Sequence, residues 1–186
     1  MKDNFMDTPL TREQEKSLLR LARLAITLHL QEGTSPSMET DDVTFKQKRG
    51  AFVTLKVKDQ LRGCIGYPIP HKPLFETIID IAISAATKDF RFSPLEQKEL
   101  HETKIEISVL SQSKLIKNIS EIAVGKHGII ITRGLSRGLL LPQVPVEWGW
   151  DRETFLSHGC MKAGIEEEAW KKDAQIEIFT AQVFSE

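Results

Sequence analysis

Two apolar-rich runs, GAFVTLKV and LRGCIGY, stand almost end to end, separated only by the polar residues KDQ. They read as two strands joined by a turn. A link this short joins antiparallel neighbours, because a parallel pair needs a crossover of about a dozen residues or more. In the first run Phe52, Thr54 and Lys56 face one way, and Ala51, Val53, Leu55 and Val57 face the other. Further along, ETKIEISVLS alternates cleanly, with Ile105, Ile107 and Val109 on one face and Lys104, Glu106 and Ser108 on the other. GIIITRGLSRGLLLP predicts a hairpin turning at Gly134 to Ser136. The closing AQIEIFTAQVFS reads as a single strand with apolar residues on both faces, a pattern suited to the middle of a sheet.

Helical signals are interleaved with these strands. Thr11 and Gln14 fit a capping box, and the helix they open should end near Gly33. TSPSMETDD then reads as a loop and PIPHKP as a rigid connector. Pro73 is well placed to start a helix over Leu74 to Lys88. Its polar stripe, Glu76, Asp80, Ser84 and Thr87, is narrow, so this helix should be mostly buried. DFRFSPL reads as irregular. Asp151 caps a late helix that Gly164 stops. Mixed helices and strands with hairpin-like neighbours predict an α+β fold with mostly antiparallel sheet and packed helices, rather than a doubly wound α/β fold. The terminal strand is expected to pair with the middle ones, bringing the chain ends into one lobe.

Composition narrows the function. The chain has 186 residues and a formal net charge of −1, so no global basic field draws nucleic acid to it. The one dense basic cluster, KQKR (Lys46 to Arg49), reads as a solvated loop. No apolar run is long enough to span a bilayer, and MKDNFMDTPL has no apolar signal core. A cytoplasmic protein with reduced thiols is expected, since its two cysteines, Cys64 and Cys160, form no close pair. Zinc spacing is lacking, for His158 and Cys160 sit two apart on a helix and point to different faces. The GxxG of LRGCIG lacks the basic filling and helical setting of a nucleic-acid loop.

The candidate site is LRGCIG itself. Gly63 and Gly66 permit close backbone approach and positive φ, and a turn there would expose amides able to hold an anion. Arg62 adds a planar donor fork. A neighbouring cation and exposed amides favour a thiolate, which is the nucleophile, so Cys64 is a candidate catalytic thiol. His127, in the glycine-flanked GKHG, is the candidate base. Arg91 and Arg137, with Arg133, form a second set of arginines that could converge on the same anion. The competing reading is that Cys64 is a small apolar residue packed at a strand end and Arg62 merely holds a carboxylate such as Glu106. Trp148 and Trp150 are either core anchors or part of a partner-binding patch.

In order along the chain, GAFVTL, LRGCIGY, RFSPL, IEISVL, GKHGIII, RGLLLPQV and AQVF closely resemble the AMMECR domain family, also called AmmeMemoRadiSam system protein A. The match runs from about Leu18 to the C-terminus, with LRGCIG complete and Ser93 standing where the family pattern usually has proline. The resemblance implies a single AMMECR-type domain over residues 1–186, built of a larger subdomain containing both termini and a smaller internal one. It also implies a setting with a Memo-like protein and a radical SAM protein as partners. Two functional expectations follow. One is an enzyme component with a small-anion or thiol-based site at LRGCIG; the other is a non-catalytic adaptor in which LRGCIG is a packing motif. Neither names a cofactor or a substrate.

Overall fold

The computed structural model describes residues 9–69 and 71–186. Residues 1–8, read above for a targeting core, and Pro70 of the PIPHKP connector lie outside the described residues. Among the described residues the fold is α+β, with two four-stranded antiparallel sheets. The chain divides into two compact units, Thr8–Leu110 with Gln182–Glu186, and Ser111–Ala181.

In the larger unit α1 (Arg12–Glu32) begins at the Thr11 capping box and ends at Gly33 in the left-handed conformation, as the sequence predicts. A short helix, α2 (Val43–Lys46), capped by Asp42, follows the segment read as a loop and is not expected from the sequence. It turns Phe45 into the core. The KQKR cluster is not uniformly solvated either. Arg49 is buried and its Nε donates to the Leu110 carbonyl at 3.1 Å.

The strands β1 (Ala51–Val57) and β2 (Gln60–Tyr67) form the expected hairpin. Its turn is the two-residue link Lys58–Asp59, both at positive φ, the geometry that matches the twist of paired strands. LRGCIG is therefore not a turn. All six residues lie inside β2, in extended conformation, and none of the positive-φ positions falls among them. With α3 (Leu74–Thr87), β3 (Thr103–Leu110) and the closing β8 (Ala181–Ser185), the sheet runs β2-β1-β3-β8.

One face of this sheet buries Ala51, Val53, Leu55, Ile105, Ile107 and Val109, in the same core as Leu74, Ile78 and Ile81 of α3 and Leu18, Ala22 and Ile26 of α1. Of the hexapeptide's glycines, Gly63 serves this packing and Gly66 a close contact on the opposite face. A Cβ on Gly63 would collide with the Ala85 carbonyl of α3, and one on Gly66 with the Phe52 ring and, at 2.7 Å, the Ala51 carbonyl. Arg23 of α1 fastens the far side, donating to the Leu100 and Thr103 carbonyls at 2.8 and 2.6 Å and pairing with Glu186.

The smaller unit holds β4 (Lys114–Ile116), β5 (Gly128–Arg133), β6 (Ser136–Leu140) and β7 (Gln175–Phe179) in the order β4-β7-β5-β6. The β5–β6 turn falls at Gly134 and Leu135. A short α4 (Val144–Glu147) and α5 (Arg152–Lys162), capped by Asp151, complete it. The last apolar run is two strands, not one. It breaks at Thr180; β7 is interior to the smaller unit's sheet, whereas β8 lies at the edge of the other. An apolar pattern on both faces fits either half, so nothing local marks the break.

Gly63→Ala should destabilise the larger unit by about 2 kcal/mol or more, because the added methyl meets helix backbone rather than a movable side chain. A lowered denaturant midpoint at unchanged slope would bear this out, and an unchanged midpoint would refute the packing role.

Candidate functional site

On the face of the larger sheet opposite its core, register places Cys64, Thr54 and Glu106 side by side across β2, β1 and β3. Directly opposed residues of antiparallel strands share a face. Thr54 Oγ1 donates to the Cys64 sulfur at 3.3 Å, and Lys56 Nζ pairs with Glu106 at 2.9 Å. Glu106 is thus the partner of Lys56, not of Arg62. The Cys64 side is partly exposed.

Asp89 organises this edge. It follows α3 directly, is 5% exposed, and accepts three kinds of donor. The Cys64 amide reaches Oδ2 at 2.8 Å. The Arg91 guanidinium reaches both oxygens, with Nε at 2.9 Å and Nη2 at 2.7 Å, and the Arg91 amide adds a fourth bond at 3.2 Å. The Arg91 guanidinium beside it, helped by the two amides, holds the Asp89 carboxyl well below the usual carboxylate range despite the opposing cost of burial. Since β2 is an edge strand, its outward amide needs such a partner, and Asp89 supplies it.

The same carboxylate fixes a cation next to the thiol. Arg91 also donates to the Cys64 carbonyl at 3.3 Å, and its own pKa is raised, first by the Asp89 hydrogen bond and further down by Cys64. Yet 46% of the Arg91 side chain remains exposed. Phe90, beside it, is 96% exposed. A thiol, a hydroxyl donor and an accessible guanidinium therefore lie close together, with the Phe92 ring 5.5 Å from the guanidinium carbon.

Arg62 has a different job. Its Nε and Nη2 form a two-pronged pair with Glu99 at 2.9 and 3.0 Å, while Nη1 and Nη2 reach the Ser93 and Pro94 carbonyls at 2.8 and 3.3 Å. This guanidinium ties β2 to the RFSPL segment and spends its donors there. The Glu99 carboxyl is held low, first by Arg62.

The other candidate residues lie in the smaller unit. His127 Nδ1 accepts from the Ala123 amide at 3.1 Å, which stabilises the GKHG turn and leaves the proton of the neutral ring on Nε2. Burial, and then the Lys126 charge, push the His127 pKa down. Arg137 pairs with Glu177 at 3.2 Å, and Arg133 with Glu166 and Asp173. Cys160 is fully buried, and burial pushes its thiol up. So Cys64, Arg62, Gly63, Gly66 and Arg91 share one unit, and His127 and Arg137 the other.

Sequence reasoning missed Asp89, Thr54 and Glu99. Asp89 had one signal: an acidic residue directly after a buried helix, two before an arginine. Thr54 follows from register once the two-residue turn is known. Among the described residues no group of three His, Cys, Asp or Glu is placed to hold a metal ion. No helix among them is long and apolar enough to cross a membrane.

The AMMECR1 family model matches residues 19–184, and the chain belongs to that family. A protein of Methanopyrus kandleri is 48% identical, the match covering 97% of this chain and 92% of that one. One of Methanothermobacter thermautotrophicus is 46% identical over 96% of this chain and 97% of its own. The crystal structure of an uncharacterized protein from Pyrococcus horikoshii is similar at a TM-score of 0.85 and 41% identity, covering 95% of this chain and 93% of that one.

Three outcomes are expected. Asp89→Ala should cost about 3 kcal/mol, because it leaves the Arg91 charge and the Cys64 amide without their partner. The folded carboxyl titrates below its unfolded value of about 3.9, so its stabilisation is complete above that pH and is lost as pH falls further. Asp89→Asn should therefore flatten the acid limb of stability against pH below about 4. His127, whose pKa is lowered, should show an NMR titration midpoint below the ordinary 6.5, and a midpoint above it would contradict the half-buried, amide-bonded ring.

Proposed function

We propose that the protein works through a thiol-centred anion site formed by Cys64, Thr54 and Arg91, as an enzyme or enzyme component. One observation carries this reading: Asp89 holds the Cys64 backbone and the Arg91 guanidinium at once, so the sulfur and the cation are fixed relative to each other before any ligand arrives. Preorganised charge of this kind is what stabilises a developing anion. The exposed part of Arg91 suits a carboxylate or phosphate. Phe90, next to it in the chain, offers apolar contact for the body of the same small molecule. The chemistry that fits is acyl or other group transfer, in which Cys64 loses its proton to solvent and attacks an electrophilic carbon as the thiolate, and the leaving group departs with its electron pair and takes up a proton from solvent. The ligand class we propose is a small anionic molecule.

A second reading is favoured by the packing roles of Gly63, Gly66 and Arg62. If LRGCIG serves the fold alone, the protein is an adaptor, and the Memo-like and radical SAM proteins are its proposed partners. Complex formation unaffected by Cys64→Ser in a pull-down with both partners would favour this second reading.

Alkylation of the native protein with iodoacetamide, read by peptide mass spectrometry, separates the two. The thiol reading expects Cys64 to react while Cys160 stays protected until unfolding, and Arg91→Gln to slow Cys64 several-fold. A Cys64 that reacts only after unfolding would sink it.

A further inference from the structure

In the smaller unit, three aromatic rings are stacked at the start of α5. Trp150 lies face to face with His158, centroids 3.8 Å apart and planes within 3°. Trp148 stacks on Trp150 at 6.2 Å and 21°. Trp150 is packed against the apolar core that contains Phe155 and Leu156, so the stack has a fixed base. Its outer ring is different: Trp148 is 70% exposed, and Val146 beside it 61%. The backbone of this turn is pinned. The Trp148 amide bonds the Val144 carbonyl at 3.2 Å, and the Trp150 amide bonds the Pro145 carbonyl at 2.8 Å. An indole held rigidly toward solvent has little conformational entropy left to lose on binding, which is the property of an interface anchor.

The exposed charges of the chain segment that carries this ring are acidic, and Lys171 lies near enough to Glu153 to feel its charge. The segment VEWGWDRE exposes Glu147, Asp151 and Glu153. Its single cation, Arg152, turns inward and donates to the Ile122 carbonyl at 2.9 Å. Asp151 is held ionised by the amides it caps, Thr154 first. An aromatic face attracts cations through its quadrupole, and flanking carboxylates strengthen the attraction. Arginine suits it better than lysine, because a planar, weakly hydrated guanidinium stacks on an indole.

We infer that Trp148, with Glu147, Asp151 and Glu153, docks an arginine-bearing segment of a partner protein. This inference deepens the binding reading, names the chemistry of the partner, and is independent of the thiol.

The test is a fluorescence titration of the full chain with hexa-arginine, hexalysine and hexacitrulline peptides at two salt concentrations. Saturable binding of hexa-arginine is expected, several-fold weaker for hexalysine and absent for hexacitrulline. Trp148→Ala should weaken it at least tenfold, with the thermal unfolding midpoint little changed because the ring is exposed. Trp148→Phe should keep most of it. Glu147→Gln with Glu153→Gln should weaken it several-fold and reduce its salt dependence. Binding that is equal in Trp148→Ala, or no binding of hexa-arginine, would overturn the inference. Cys64→Ser should bind like the unaltered chain; loss of binding there would assign the cation site to the other unit and overturn it equally.

Discussion

The arrangement around Cys64 depends on one buried carboxylate. Asp89 lies just beyond the end of the buried helix α3, and the Cys64 amide of the edge strand β2, the Arg91 amide and the Arg91 guanidinium each donate to it. Alone, a carboxylate at this depth would be costly; with four hydrogen bonds and a guanidinium it is a clamp. It closes an edge strand that would otherwise show an unpaired amide. It also fixes a cation beside a sulfur, so that the fold and the proposed chemistry rest on the same atoms.

The hexapeptide divides its labour in a way that follows from strand periodicity. Gly63 faces the core, where the Ala85 carbonyl of α3 leaves no room for a side chain. Cys64 faces the other way, in register with Thr54. Arg62 is drawn off to Glu99 and the RFSPL carbonyls. Gly63, Gly66 and Arg62 are thus shaped by packing and pairing, and Cys64 presents its sulfur on the outer face with the Thr54 hydroxyl donating to it. The structural and functional readings of LRGCIG are therefore compatible. Most of the motif shapes the strand on which Cys64 is presented.

What was legible in the sequence was local. The Thr11 capping box, the Gly33 end of α1, the start after Pro73, the Asp151 cap and the β5–β6 turn all depend on neighbours within a few residues, and the chain writes them openly. What was not legible depended on distant partners. Glycine-rich LRGCIG looks like a turn because its need for glycine comes from Ala85 and Phe52, which only the fold brings near. The closing strand looks continuous because its division between two sheets is a matter of topology. Asp89 was hidden in an irregular stretch because its Cys64 partner lies 25 residues away. Cys64 and Arg91 were readable as candidates, while the residue that unites them was not.

The most direct measurement compares two alkylating agents at Cys64, the anionic iodoacetate and the neutral iodoacetamide, in the native chain and in Arg91→Gln. A guanidinium held beside the sulfur should raise the rate with iodoacetate relative to iodoacetamide, compared with the ratio for the unfolded chain, and Arg91→Gln should abolish that preference. A native ratio equal to the unfolded one, or one unchanged by Arg91→Gln, would contradict an anion site at this thiol.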